Sequence, residues 1–263
     1  MTSLKFDIDG VVSIAHPNVR RIGPADLKDA LVKGLDDFMA MPTFALFLVA
    51  VYPIVGLILF WLTFGLNMMQ LVFPLIAGFA LIGPVAAIGL YELSRRREQG
   101  LSVSLAALND IHLPCIRAIA TLGIVLMAIF FAWLGAAMAV YRLTFNDWVP
   151  PSIGEFASQV FTTPSGWALI VGGCFVGLIF AIVAFSISVV SIPLLLDHDV
   201  GVAVAVETSV RAVLENPRTM ALWALIVSGA LLVGSLPFLI GLVVVFPILG
   251  HSTWHLYRAV VDA

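Results

Sequence analysis

The sequence predicts an all-helical integral membrane protein, on three observations. Hydrophobic residues make up 61% of the 263 and charged residues 11%, less than half the charged share of an ordinary soluble domain. Mean hydropathy is +1.09. Residues 38–91 run for 54 positions without a charge, where roughly 20 apolar residues cross a bilayer. The apolar runs are continuous, which requires helices, because the strands of a membrane barrel alternate apolar with polar positions. A net charge of −3 and a pI near 5.9 exclude a basic nucleic-acid binder. Cys115 and Cys174 are the only cysteines. They found neither a disulfide framework nor a thiolate zinc site, and read as packing residues.

The chain divides into an N-terminal cytoplasmic tail, residues 1–24, and a single membrane domain, residues 25–263. No basic segment leads into an apolar core with a small-residue cleavage site, so no cleaved signal peptide is expected and the first span serves for insertion. A polar break at 65–70 splits the first apolar interval into spans at about 43–64 and 71–91. The third span is 118–141. Residues 156–166 are polar and interrupted by Pro164, leaving 167–196 as a fourth span long enough to tilt. The interval 219–257 is either one kinked helix or two spans meeting at Gly234-Ser235-Leu236-Pro237.

Basic residues orient these segments. Lys5, Arg20, Arg21, Lys28 and Lys33 precede the first span, Arg95, Arg96, Arg97 and Arg117 lie between the second and third, and Arg211 and Arg218 follow the fourth. Up to that point Arg142 alone falls on the opposite side, so the N-terminus and the arginine triplet are expected in the cytoplasm. Six spans bring Arg258 and the C-terminus inside as well; five put them outside.

An internal pattern favours six. Pro42, Pro114 and Pro217 each close a short amphipathic stretch expected to lie on the inner side. The first, 25–41, sets Leu27, Leu31, Leu35 and Phe38 against Asp26, Asp29, Lys33, Asp36 and Asp37. The second, 101–112, carries Leu101, Leu105, Leu108 and Ile111. The third sets Val202, Val206, Val210 and Val213 against Glu207, Arg211 and Glu215. Each leads into a span, an outer turn and a returning span with a proline near its inner end, Pro84, Pro193 or Pro247. Three helical pairs result, with the last two spans at about 219–235 and 238–257. Identity between the copies is low, so shared apolar composition is the competing explanation.

Ionisable groups follow each inner proline: Glu92, then Asp197 with His198, then His251 with His255. His251 and His255 are four apart and share a helix face, a spacing that holds a divalent metal if a third ligand arrives from another span. These five residues are the candidate cluster; the alternative is a set of solvated helix ends, and the sequence does not order those ends beside one another. Arg95, Arg96 and Arg97 read as topology determinants and as contacts for anionic headgroups. Ser188 and Ser191 are expected to bond carbonyls of their own helix, and Gly173 and Gly177 form a GxxxG that serves packing within the chain or a dimer seam. No ionisable group lies near the middle of any expected span, which counts against an ion-coupled transporter.

Three runs carry a resemblance: Arg21-Ile22-Gly23-Pro24-Ala25-Asp26-Leu27 with Gly34-Leu35-Asp36-Asp37-Phe38, then Gly83-Pro84-Val85-Ala86-Ala87-Ile88-Gly89-Leu90-Tyr91-Glu92-Leu93-Ser94-Arg95-Arg96-Arg97-Glu98, and finally Gly250-His251-Ser252-Thr253-Trp254-His255-Leu256-Tyr257-Arg258. From about residue 22 to 261 the chain resembles a family of uncharacterised bacterial multi-pass membrane proteins, some labelled cytochrome c oxidase subunit I. The resemblance implies a location in the bacterial inner membrane and no mechanism. A haem-copper oxidase needs about six histidines within its spans, and this chain has His16, His112, His198, His251 and His255, none at mid-membrane. The expectation is a non-catalytic protein without cofactor that binds lipid, itself or another membrane protein, as an accessory to a respiratory or other complex. The alternative is a small-solute transporter.

Overall fold

The computed structural model describes residues 17–42, 61, 69–79, 83–104, 113–236 and 240–262. The span expected at 43–64, the turn after it, most of the second amphipathic stretch, His16 and His112 lie outside the described residues. The helices are α1 (Pro24–Ala40), α2 (Val72–Phe79), α3 (Gly83–Ala86), α4 (Ile88–Glu98), α5 (Leu113–Phe145), α6 (Ile153–Thr162), α7 (Pro164–Ser188), α8 (Ser191–Asp197), α9 (Val202–Glu215), α10 (Pro217–Ser235) and α11 (Leu242–Val260). A 3-10 turn, Met69–Leu71, precedes α2. Two short strands, β1 (Asn18–Val19) and β2 (Val261–Asp262), pair antiparallel and tie residues of the expected N-terminal tail to the C-terminal segment.

Among the described residues three helices are long and apolar enough to cross a membrane: Leu113–Phe145, Pro164–Asp197 and Pro217–Ser235. α5 is about 50 Å long at 1.5 Å per residue, well beyond the hydrocarbon core. α7 and α8 form one apolar rod broken at Val189 and Val190. Pro193 accounts for the break, since its missing N–H leaves the Val189 carbonyl without its helical donor. Ser209 of α9 then accepts the Val190 N–H at 3.1 Å. The span expected at 71–91 is in pieces: α2, α3 and α4 are separate helices, and α4 carries the arginine triplet on its last turn. The 219–257 interval is two helices, with Gly234 and Gly241 in contact where they meet. The second of them, α11, is apolar over its first half and turns polar from His251 onward.

The buried faces differ from the expected ones by a rotation. On α1 the buried residues are Leu27, Ala30, Gly34 and Asp37, spaced three, four and three, while Leu35 is exposed. Gly34 lies so close to Ser252 of α11 that a Cβ would overlap that residue's backbone and hydroxyl. On α9 the packed face is Val204, Ala205, Thr208, Ser209 and Ala212, and the predicted valines flank it half-buried. Thr208 donates to its own helix at the Val204 carbonyl, 2.7 Å, and Ser191 reaches across to the Ala205 carbonyl at 3.1 Å, so these hydroxyls are tolerated inside. Ser188 and Ser191 bond carbonyls of the preceding turn, as expected.

α6 was not anticipated, since its residues read as a polar outer segment. Ser152 caps it by accepting the Glu155 N–H at 3.1 Å, and the Ser-x-x-Glu spacing at 152–155 is a helix-start signature present in the sequence. α5 and α7 pack through Trp133, which stands over Gly177, meets Phe180 and donates to the Pro74 carbonyl at 2.8 Å. Among the described residues nothing stands against Gly173, so of the two glycines of the GxxxG it is Gly177 that is seen to pack within the chain. Both cysteines are free, and Cys174 is exposed rather than packed.

The glycine contacts predict opposite outcomes for one substitution. Adding a methyl in a helix interior gains up to about 1 kcal/mol from propensity, but overpacking a tight contact costs about 1–3 kcal/mol. Gly34→Ala should therefore lower the melting temperature of the detergent-solubilised protein, whereas Gly173→Ala should leave it unchanged or raise it.

Candidate functional site

The buried face of α1 ends on Asp37, 3% exposed, and the elements around it supply its partners. Ser94 of α4 donates to Asp37 Oδ2 at 2.5 Å. His255 Nε2 of α11 meets the same oxygen at 2.8 Å. Arg97 of α4 bonds Asp37 Oδ1 through Nη1, and Asp36 through Nη2 at 2.9 Å. His251 lies one turn before His255 on the same face of α11, and its Nδ1 is 2.8 Å from Ser94 Oγ. Its Nε2 is buried beside the Leu90 backbone without a hydrogen bond of good geometry.

Proton directions decide what this group can do. With the Ser94 proton given to Asp37, the 2.8 Å contact to His251 is satisfied by an Nδ1–H donating to Ser94 Oγ. A serine nucleophile needs the reverse, its proton passing to the imidazole. The same three residue types therefore make a clamp here. Burial works to raise the Asp37 carboxyl, and the bonds from His255, Ser94 and Arg97 outweigh it, holding the group below its ordinary value.

Two further groups flank the clamp. Glu92, buried on α4, accepts from Arg95 Nε and Nη2 at 2.8 and 2.9 Å and from Arg96 Nε at 2.8 Å. Asp197 at the end of α8 accepts from the Tyr257 hydroxyl at 2.9 Å and Arg258 Nη1 at 3.3 Å, with His198 at 3.4 Å. Arg258 also reaches Glu98 at 3.2 Å, and Trp254 Nε1 donates to that carboxylate at 2.9 Å.

The five predicted residues thus divide among three separate groups. His251 and His255 come together around Asp37, Glu92 is taken by two arginines, and Asp197 and His198 meet Tyr257 and Arg258. Among the described residues no three His, Cys, Asp or Glu side chains are grouped to hold a metal ion. The arginine triplet pairs with Glu92, Asp36 and Asp37. Asp37, Ser94, Glu98 and Tyr257 were not singled out from the sequence. Asp37 was legible in principle, because it continues the Leu27, Ala30, Gly34 spacing onto the close-packed face.

A chain with such helices, and a polar junction built by their ends, is an integral membrane protein of the all-helical class. Residues 72–197 match the family model described as "Predicted integral membrane protein (DUF2189)", a family of unknown function. The match, running from α2 to the end of α8, bears out the resemblance to an uncharacterised membrane protein family. No curated protein and no solved structure matches the chain.

Removing the central carboxylate strands its donors. Asp37→Ala should cost about 3 kcal/mol, the lower end for breaking a buried pair because Arg97 is partly exposed. Ser94→Ala should cost about 1–2 kcal/mol; thermal unfolding in detergent measures both. A carboxylate held below its ordinary value contributes stability that is complete above the unfolded value and lost as pH falls through the folded one. Between about pH 5 and pH 2 the stability of Asp37→Asn should therefore fall less steeply than that of the wild type.

Proposed function

We propose that the chain is a non-catalytic inner-membrane protein of six spans in three helical pairs. Both termini lie in the cytoplasm, and it acts as an accessory to another membrane complex, binding through its inner layer of amphipathic helices. The observation that carries this reading is the divided apolar face of α1. One edge, Leu27, Ala30 and Gly34, is buried against the bundle, while the other, Val32, Leu35 and Met39, is open. A helix clamped along one edge with an apolar edge left over presents a surface for a further apolar occupant. The polar groups nearby, the buried Nε2 of His251 apart, satisfy one another, so the open edge is what the inner layer offers. The division of 217–260 into two helices supports the sixth span and the inner C-terminus.

Reporter fusions after residue 150 and at the C-terminus test the placement, with export expected for the first and cytoplasmic retention for the second. Purification in mild detergent tests the role. A stoichiometric membrane partner is expected with the wild type and lost in Leu35→Glu, which alters only the open edge. Solute flux by the pure protein in liposomes would overturn the reading in favour of a transporter.

A further inference from the structure

Most basic side chains of the inner end are occupied by carboxylates: Arg20 by Asp262, Lys33 by Asp29, Arg95 and Arg96 by Glu92, Arg97 by Asp36 and Asp37, Arg211 by Glu215, and Arg258 by Glu98 and Asp197. Among the described residues Arg21, Lys28, Arg117 and Arg218 are exposed and have no such partner; Arg21 precedes α1, whereas Lys28, Arg117 and Arg218 lie within helices. These last three share a position. Each stands near the N-terminus of a helix and heads an open apolar stripe at helical spacing.

On α10, Arg218 is followed at four, seven and fourteen residues by Leu222, Leu225 and Leu232, the last two 69% and 67% exposed. On α5, Arg117 is followed at seven and fourteen by Ile124 and Phe131, 71% and 62% exposed. On α1, Lys28 is followed at four, seven and eleven by Val32, Leu35 and Met39, all exposed. A seven-residue step drifts only about 20° around a straight helix, so each stripe stays beneath its cation. α5 and α10 are also among the helices apolar enough to cross the bilayer.

A cation above a lipid-facing stripe matches one molecule end to end: an anionic headgroup over an acyl chain. We propose that Lys28, Arg117 and Arg218 are three seats for acidic phospholipids of the inner leaflet, the headgroup phosphate held by the cation and one acyl chain lying along the stripe. The inference rests on the inner-side placement proposed above and names the lipid class that placement leaves open; on α1, whose open edge is the proposed partner surface, the lipid is the occupant that the partner displaces. A surface cation attracts anionic lipid by an amount equivalent to about a fivefold change in affinity.

The test is native mass spectrometry of the full chain in mild detergent after incubation with phosphatidylglycerol or with phosphatidylcholine. The wild type should retain phosphatidylglycerol in preference. Lys28→Gln, Arg117→Gln and Arg218→Gln should each weaken that retention about fivefold, and the triple variant should lose the preference. Arg218→Lys should keep it, as should Arg142→Gln, which alters a cation on the opposite side already paired with Asp147. Equal retention of the two lipids by the wild type, or an undiminished preference in the triple variant, would overturn the seats. All three positions are exposed, and unchanged melting in phosphatidylcholine alone separates loss of lipid from loss of fold. Inverted fusions with the preference intact would fault the orientation only; expected fusions with the preference absent would fault the seats only.

Discussion

Asp37 needs donors from elsewhere in the chain, because a buried carboxylate left bare costs far more than local packing returns. Those donors come from α4 and α11, so one side chain brings three helices into register. The residues around it follow from that demand. Gly34 allows α1 to approach Ser252 closely enough for Asp37 to reach His255 one turn further on. His251 and His255 stand four apart so that one meets the Ser94 hydroxyl and the other the carboxylate itself. The opposite end of α1 is held as well: Asp26 accepts the Gly23 N–H at 2.7 Å, and Asn216 accepts the Ile22 N–H at 2.8 Å. A helix of this length is marginal alone. Fixed at both ends along one edge, it keeps the other edge free.

The same economy of charge explains why a prominent sequence feature is spent inside. Three consecutive arginines attract attention as a surface cluster, yet Glu92 and Asp37 are buried within one helical turn or one helix contact of them. Each buried carboxylate takes the nearest guanidinium, whose planar fork can satisfy two lone pairs at once. Among the described residues the exposed cations left without a carboxylate are Arg21, Lys28, Arg117 and Arg218. Density of charge along the sequence is therefore a poor guide to charge on the surface here, since the acids that consume it sit on other helices or one turn away.

What the sequence made legible was set by the range of the interactions involved. Continuous hydropathy located α5, α7 and α10 because a spanning helix is defined by its own composition. The division of 219–257 was readable from a short glycine-proline turn for the same reason. Faces were less legible. α1 and α9 are amphipathic as read, but their packed sides are those rich in Ala, Gly, Ser and Thr, since close helix approach selects small residues over large ones. α6 was missed although Ile153, Phe156, Ala157, Val160 and Phe161 recur at helical spacing behind the Ser152 and Glu155 start, because the polar residues between them and Pro164 read as an outer loop. The site was half legible: His251 and His255 share a face by spacing alone, but Ser94, the partner of the first, and Asp37, the partner of the second, are more than a hundred and fifty and more than two hundred residues away, pairings no local pattern contains.

The distribution of hydrogen bonds between helices gives the bundle a direction. Ser94 to Asp37, Ser191 to the Ala205 carbonyl, the Val190 N–H to Ser209 and Thr219 to the Ile22 carbonyl all join elements that meet around the ends of α1, α8, α9 and α11. Away from that end, polar side chains turn onto their own helices, as Thr144 and Ser235 do toward Val140 and Leu231, with Trp133 to Pro74 an exception. Hydrophobic contact gives helices no reason to associate in lipid, where the acyl chains are as apolar as leucine. The polar end therefore does the fastening, and the apolar lengths of α5, α7 and α10 extend from it with open flanks.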